Sequence, residues 1–249
     1  MSILISIFIS GYHGKTTDFA KNSSCHRTTI AHFLNSGKWN DSLLSDTLKQ
    51  SVIEIIYSEA ARTGNPVFCI VDDTIASKTK PLSRALHPIE DVYFHQSHLK
   101  KKQDYGHQAV AVMLSCNGIE NAVVLLSYPE KAFGNPKALR AFISTNVALS
   151  TQEILSCYVY RWSIEIFFRQ CKDKMALDGY QLRSAQGIKR YWLLMSLAHF
   201  MCIAGTGEFC SFETGYHKIC GIVQSEKYRY LFQCAKESDD FDSFIKLAG

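Results

Sequence analysis

Five consecutive apolar or β-favouring residues, Val67-Phe68-Cys69-Ile70-Val71, run without polar alternation and stop on Asp72-Asp73-Thr74. Gly64-Asn65-Pro66 precedes them as a breaker. An unbroken run of this kind suits a strand covered on both faces, and the covering must come from helices. The chain offers them. Residues 41–63 carry an apolar stripe of Leu44, Leu48, Val52, Ile55 and Ile56 behind Asp41 as a cap. Gly187 to Ala204 is strongly apolar and reads as a buried helix. Two more strand-like runs, Gln108–Leu114 and Ala122–Ser127, flank an Asn117-Gly118 turn signal. Residues 138–144 add a short strand or helix. The order of strands followed by long helices predicts an α/β fold with strands at its centre.

Composition sets outer limits. Of 249 residues, 47% are hydrophobic and 20% charged, the composition of an ordinary globular protein, for which disorder is not the default reading. The net charge of +4 permits a nucleic-acid partner without demanding one. Nine cysteines, none in C-x-x-C spacing, point to a reducing compartment rather than a disulfide framework. The opening MSILISIFI is too short to span a bilayer and reads as a buried first helix or strand. A cytoplasmic location without a membrane partner is expected. Residues 15–36 look like two short helices around Asn22-Ser23-Ser24, capped by Thr17 and Ser24. Arg27, Thr28 and Thr29 then begin the second helix, as in a helix-turn-helix that reads DNA; a plain helical hairpin fits equally well.

Two places carry chemistry. Asp72 and Asp73 close the apolar strand, where adjacent carboxylates repel unless a cation compensates. Alternation lets only one of them reach a given site. The plain alternative is a solvated strand end. The second place is a helix opened by the capping box Ser150-Thr151-Gln152-Glu153 and expected to run to about Lys174. Tyr158, Arg161, Glu165, Arg169 and Lys172 share one stripe of it, with Arg161–Glu165 and Glu165–Arg169 as possible i, i+4 pairs. Trp162, Ile164, Ile166, Phe167 and Phe168 make its other sides apolar. A charged stripe on a helix otherwise buried suggests a groove, although a solvated, salt-bridged face has the same pattern.

The spacing Tyr158-x2-Arg161-x3-Glu165-x6-Lys172 resembles the Tyr-Arg-Glu-Lys signature of DDE transposases of the insertion-sequence-four-like group. The flanking Trp162-Ser163-Ile164, Phe167-Phe168-Arg169-Gln170 and Gly179-Tyr180-Gln181-Leu182-Arg183-Ser184 also resemble that group, as do Asp72-Asp73-Thr74 and Tyr93-Phe94-His95-Gln96-Ser97-His98. The resemblance covers roughly residues 65–205. It implies a ribonuclease-H-like core, a truncated mixed sheet flanked by helices, with a small N-terminal helical unit. The expected division is 1–63 helical, 64–205 core and 206–249 a tail with a short polar helix.

By the same resemblance, Glu165 is the triad glutamate and Asp73 the first aspartate, with Asp72 as the fallback. These carboxylates would hold Mg²⁺ or Mn²⁺ for cleavage and strand transfer of transposon-end DNA. Tyr158, Arg161, Arg169 and Lys172 would grip its phosphates, and a homodimer is expected on DNA.

One part of the pattern is missing. The triad needs a second aspartate between Asp73 and Glu165, yet no aspartate occurs from Tyr105 to Lys172. Asp91 and Asp104 sit in the polar segment 76–107, before the next strand-like run. An internal deletion near Cys116-Asn117-Gly118-Ile119, with truncation before Met1, is the expectation. Two carboxylates in place of three predict impaired catalysis. The alternative is a non-catalytic DNA-binding remnant that competes for transposon ends. His87, His95, His98 and His107 raise zinc as a lesser option, but no cysteine pair has finger spacing. Cys157 and Cys171 read as core residues rather than nucleophiles.

Overall fold

The computed structural model describes residues 2–9, 12–82, 88–97, 100–116, 119–127, 150–205, 207 and 209–248. Its strands are β1 (Phe68–Ser77), β2 (Tyr93–Ser97), β3 (Lys102–Cys116) and β4 (Ile119–Ser127). β3 is the spine of one sheet. β1 pairs along one edge, from Phe68↔Ser115 to Ser77↔Gly106. The other edge is shared: β2 pairs with the start of β3 (Tyr93↔Gly106, Ser97↔Lys102) and β4 with the rest (Ala109↔Ser127, Cys116↔Ile119). At 15 residues β3 is long enough for both, spanning about 50 Å. The sequence hides this length because Lys102, Gln103 and Asp104 lack an apolar pattern. For the same reason β2 lies in a segment read as polar and irregular.

Every strand pair among the described residues is antiparallel, where a mixed sheet is expected from sequence. A parallel partner needs a crossover of about a dozen residues or more. The segment after β4 with that length, 128–149, lies outside the described residues, and so does the element expected at 138–144. The apolar run also differs from its reading. Ile70 and Ala76 are buried, while Cys69 is exposed and Val71 is 60% exposed. β1 is therefore covered on one face only. An apolar run states that both faces tolerate apolar side chains; it does not supply a second layer.

The helices are α1 (Ser2–Ile7), α2 (Thr16–Lys21), α3 (Arg27–Ser36), α4 (Asp41–Thr63), α5 (Thr151–Val159), α6 (Trp162–Met175), α7 (Ala185–Ala204), α8 (Phe212–Glu237) and α9 (Phe241–Ala248). α4 has the bounds its stripe predicts, but its cap is Asn40, whose Oδ1 accepts from the Leu43 N–H at 2.8 Å. Gly64 ends it in the left-handed region at φ 71°, donating to the Ala60 carbonyl at 2.8 Å. Lys15 and His26, not Thr17 and Ser24, precede α2 and α3. The tail forms a 26-residue α8, much longer than the short polar helix expected there.

α7 is the central helix. Tyr191, Trp192, Met195, Ala198 and Cys202 are buried along it. The same core takes in Ile7, Phe8, Phe19, Ile30 and Leu34 from the N-terminal helices, Ile70 and Ala109 from the sheet, and Phe167 from α6. The N-terminal helices thus share their core with the sheet and with α7. Arg190 locks this join. Its guanidinium donates to the carbonyls of Phe33 (3.3 Å) and Leu34 (3.2 Å) and pairs with Asp41 at 3.2 Å. A smaller cluster packs Leu48, Val52 and Ile56 of α4 on Cys116 of β3.

Candidate functional site

The site forms where α6 and the turn before it meet the covered face of β1. The sequence predicts one helix here, and its start is as expected. Ser150 Oγ accepts from the Glu153 N–H at 3.3 Å, and Glu153 Oε2 accepts from the Ser150 N–H at 2.7 Å. Continuity fails at Tyr160-Arg161. The N–H groups of Tyr160 and Arg161 reach back only three residues, to the carbonyls of Cys157 (3.2 Å) and Tyr158 (3.0 Å). Tertiary contacts act at this tightened turn. Tyr160 stacks on Phe68 with ring centroids 4.3 Å apart, and Arg161 turns toward β1.

From that turn onward, alternate residues of β1 meet successive points on α6 and the loop after it. Arg161 Nη2 donates to Asp72 Oδ2 at 3.0 Å and to Glu165 Oε1 at 3.1 Å. Lys172 Nζ donates to Thr74 Oγ1 at 2.7 Å. Lys78, just past the strand end, donates to the carbonyls of Asp178 (2.6 Å) and Tyr180 (2.8 Å) and lies 3.4 Å from the centre of the Tyr180 ring. Positions 72, 74, 76 and 78 share one side of an extended chain. From 72 to 74 the strand advances about 7 Å while α6 advances about 16 Å from 161 to 172, so the long Arg161 and Lys172 side chains converge on neighbouring strand positions.

This register brings one of the two aspartates to α6. Asp72 faces α6. Asp73, favoured from sequence, points to the open face, where its Oδ2 accepts from the Gln108 side chain at 2.7 Å. Strand alternation is the cause: Asp73 cannot reach α6 while Asp72 and Thr74 do. Tyr158 stays with the group across the helix break, its hydroxyl accepting from Arg161 Nη1 at 3.2 Å. Arg169 is exposed, and Glu165 pairs with Arg161 rather than with it.

Charge is held unevenly. Burial works against the Arg161 cation, but Asp72, Tyr158 and Glu165 together hold its pKa above the ordinary guanidinium value. Burial pulls the Lys172 ammonium below the usual lysine range, opposed mainly by Asp178. Lys78 is pushed down to about 8 by burial, again opposed by Asp178. Lys78, Thr74 and Tyr180 were absent from the sequence-based site. The signal for Lys78 and Thr74 was available in the period-2 spacing from Asp72. No local signal links Lys78 to Tyr180, 102 residues away.

The other expected features separate. His95 and His107 turn their Nε2 atoms to the carbonyls of Gly106 (3.1 Å) and Glu90 (2.8 Å). His107 Nδ1 meets the Tyr180 hydroxyl at 2.7 Å. His87 and His98 lie outside the described residues. Cys171 is buried and Cys157 exposed. Arg27, Thr28 and Thr29 are exposed at the start of α3. No helix among the described residues is long and apolar enough to cross a membrane.

The model of the transposase DDE domain family matches residues 10–201, which include every residue of this site. The chain belongs to the DDE transposase domain family. Neither a curated protein nor a solved structure matches it. The matched stretch takes in α2 to α4 as well as the sheet and α7, in keeping with the core they share.

A transposase DDE domain implies divalent metal, so the donor set is the test of fit. Asp72 and Glu165 are brought within reach of one guanidinium nitrogen. No group of three His, Cys, Asp or Glu side chains able to hold a metal occurs among the described residues. Two carboxylates fit one Mg²⁺ or Mn²⁺ whose remaining positions go to water and phosphate oxygens. They do not fit a pair of ions bridged by three carboxylates.

Proposed function

We propose that this protein is a DDE transposase of the insertion-sequence-four-like group, with a ribonuclease-H-like core, that grips transposon-end DNA but is impaired in cutting it. The observation that carries this reading is the single Arg161 nitrogen shared by Asp72 and Glu165. It draws an aspartate from the middle of β1 and a helix glutamate, 93 positions apart in sequence, to one point beside a row of cations. Asp72, rather than Asp73, is the strand carboxylate of this site, and Glu165 is its partner. Together they hold one Mg²⁺ or Mn²⁺, which when bound supplies charge stabilisation at a phosphate. Tyr158, Arg161, Arg169 and Lys172 fix the DNA backbone in register through phosphate contacts. The protein acts on DNA as a homodimer. Residues 1–63 add a second DNA contact through Arg27, Thr28 and Thr29.

Impairment follows from the ligand count. In-line displacement at phosphorus relies on two ions that clamp the attacking and leaving oxygens, and two carboxylates leave one ion position without its ligands. The second reading, a non-catalytic remnant that competes with an active transposase for ends, is favoured by the same count.

Cleavage of a supercoiled plasmid carrying candidate ends, with Mg²⁺ or Mn²⁺, separates these outcomes. Duplex binding without cleavage is expected. Efficient metal-dependent cleavage that Glu165→Ala abolishes would overturn the impaired reading. Mn²⁺ binding discriminates the aspartates: Asp72→Asn should weaken it and Asp73→Asn should leave it unchanged, and the reverse result would restore Asp73.

A further inference from the structure

Arg161 occupies a position that its expected role as a phosphate ligand does not explain. Its Nη2 lies 3.0 Å from Asp72 Oδ2 and 3.1 Å from Glu165 Oε1, so one nitrogen serves both carboxylates. That is where a bridging cation would have to sit. The other nearby cations are placed differently: Lys172 is turned to Thr74, and Arg169 is exposed on the outer side of α6. The guanidinium is also partly open to solvent. Its side chain is 40% exposed, it follows the tightened turn at Tyr160, and its Nη1 donates to the Tyr158 hydroxyl at 3.2 Å with the guanidinium 5.8 Å from the centre of that ring.

We propose that Arg161 is an internal stand-in for the divalent cation: it holds Asp72 and Glu165 together until a DNA phosphate draws it outward, which frees both carboxylates for the ion. This inference rests on the transposase reading of the site and adds to it an order of events. Metal and guanidinium compete for the same two oxygens, so metal alone binds weakly. Phosphate and guanidinium attract each other, so DNA removes the competitor. By linkage, whatever factor phosphate contributes to metal affinity, metal contributes equally to phosphate affinity. The ion is therefore loaded on the DNA complex in preference to the free protein. The shared nitrogen also keeps two like charges from repelling across the groove when neither ligand is present.

The test is a Mn²⁺ titration of the full chain, followed by loss of the free-ion electron paramagnetic resonance signal. Wild type is compared with Arg161→Met, Arg161→Lys, Asp72→Asn and Glu165→Gln, each checked for folding by circular dichroism. Arg161→Met should bind Mn²⁺ about tenfold more tightly than wild type, the worth of two half-exposed ion pairs. Arg161→Lys keeps the competing charge and should stay near wild type. Sulfate, a tetrahedral oxyanion, should tighten Mn²⁺ binding by wild type relative to chloride at equal ionic strength, and should do nothing for Arg161→Met. The proposal is overturned if Arg161→Met binds no more tightly than wild type, or if sulfate leaves wild type unmoved, while Asp72→Asn and Glu165→Gln still weaken binding. If those two variants leave Mn²⁺ binding unchanged, the carboxylates do not hold the ion, and the site reading falls together with this inference.

Discussion

Acid should loosen the platform beneath α6, and His199 sets how much. Its imidazole is wedged between Phe167 of α6, edge-on with centroids 4.8 Å apart, and Phe212 of α8, stacked at 4.7 Å. Its Nε2 lies 3.3 Å from Gln170 Oε1. Burial pushes its pKa down to about 3, whereas an imidazole in the unfolded chain titrates at about 6.5. Between those values the unfolded chain holds a proton that the folded chain lacks. Stability therefore rises with pH across that window and falls as pH drops below about 6.5. Each unit inside the window is worth about 1.4 kcal/mol. A shift from pH 7.5 to 5.0 crosses about 1.5 units of it, so His199 alone should cost about 2 kcal/mol. The assay is urea unfolding, followed by tryptophan fluorescence, at both pH values for wild type and His199→Leu. His107, also lowered by burial, contributes to both proteins and cancels in the comparison. Wild type should lose about 2 kcal/mol more than the variant over this interval. Equal losses would refute the reasoning, because they would mean that the imidazole is charged, or reached by water, in the folded protein.

Three further outcomes follow from particular contacts. Lys172→Met removes the Thr74 bond and the phosphate contact proposed for Lys172; the slope of log affinity against log salt for duplex DNA should shrink by about 1, read by fluorescence anisotropy. Gly215→Ala would drive a methyl into the Cys202 carbonyl oxygen, forcing α8 off α7 at a cost of about 3 kcal/mol in thermal or urea unfolding. Arg190→Met removes the bonds to Asp41 and to the carbonyls of Phe33 and Leu34, and should destabilise by about 2 kcal/mol in the same assay.

Local rules accounted for the elements that satisfy themselves. The stripe from Leu44 to Ile56 gave α4 its full length, because a helix closes its own hydrogen bonds and needs only one apolar face. Ser150 and Glu153 fixed the start of α5 through bonds three residues apart. The charged row Tyr158, Arg161, Glu165, Arg169 and Lys172 was visible as a stripe, and it marked the site. Other elements depend on distant partners. β2 exists only because Tyr93 to Ser97 pairs with the extended start of β3, and its residues carry no alternation of their own. The helix break at Tyr160 depends on Phe68 and Asp72, nearly ninety positions earlier or more.

The two aspartates expected to close the first strand lie in its middle, because pairing with Gly106 to Val110 of β3 carries β1 on to Ser77, and they show the same division most sharply. Sequence alone determined that one of Asp72 and Asp73 faces the charged helix, since neighbours in a strand point to opposite sides. Which one was decided by tertiary structure. The face that α6 covers is set by Phe68, Ile70 and Ala76 burying together with Phe167 and α7. That packing carries Asp72 and Thr74 to Arg161 and Lys172 and leaves Asp73 on the open side with Gln108. The absence of any aspartate between Tyr105 and Lys172 was equally a matter of sequence, because no packing can supply an aspartate that the chain there does not contain. The position of the Arg161 guanidinium between the two remaining carboxylates was not, because it requires the strand, the tightened turn and the helix to be assembled at once.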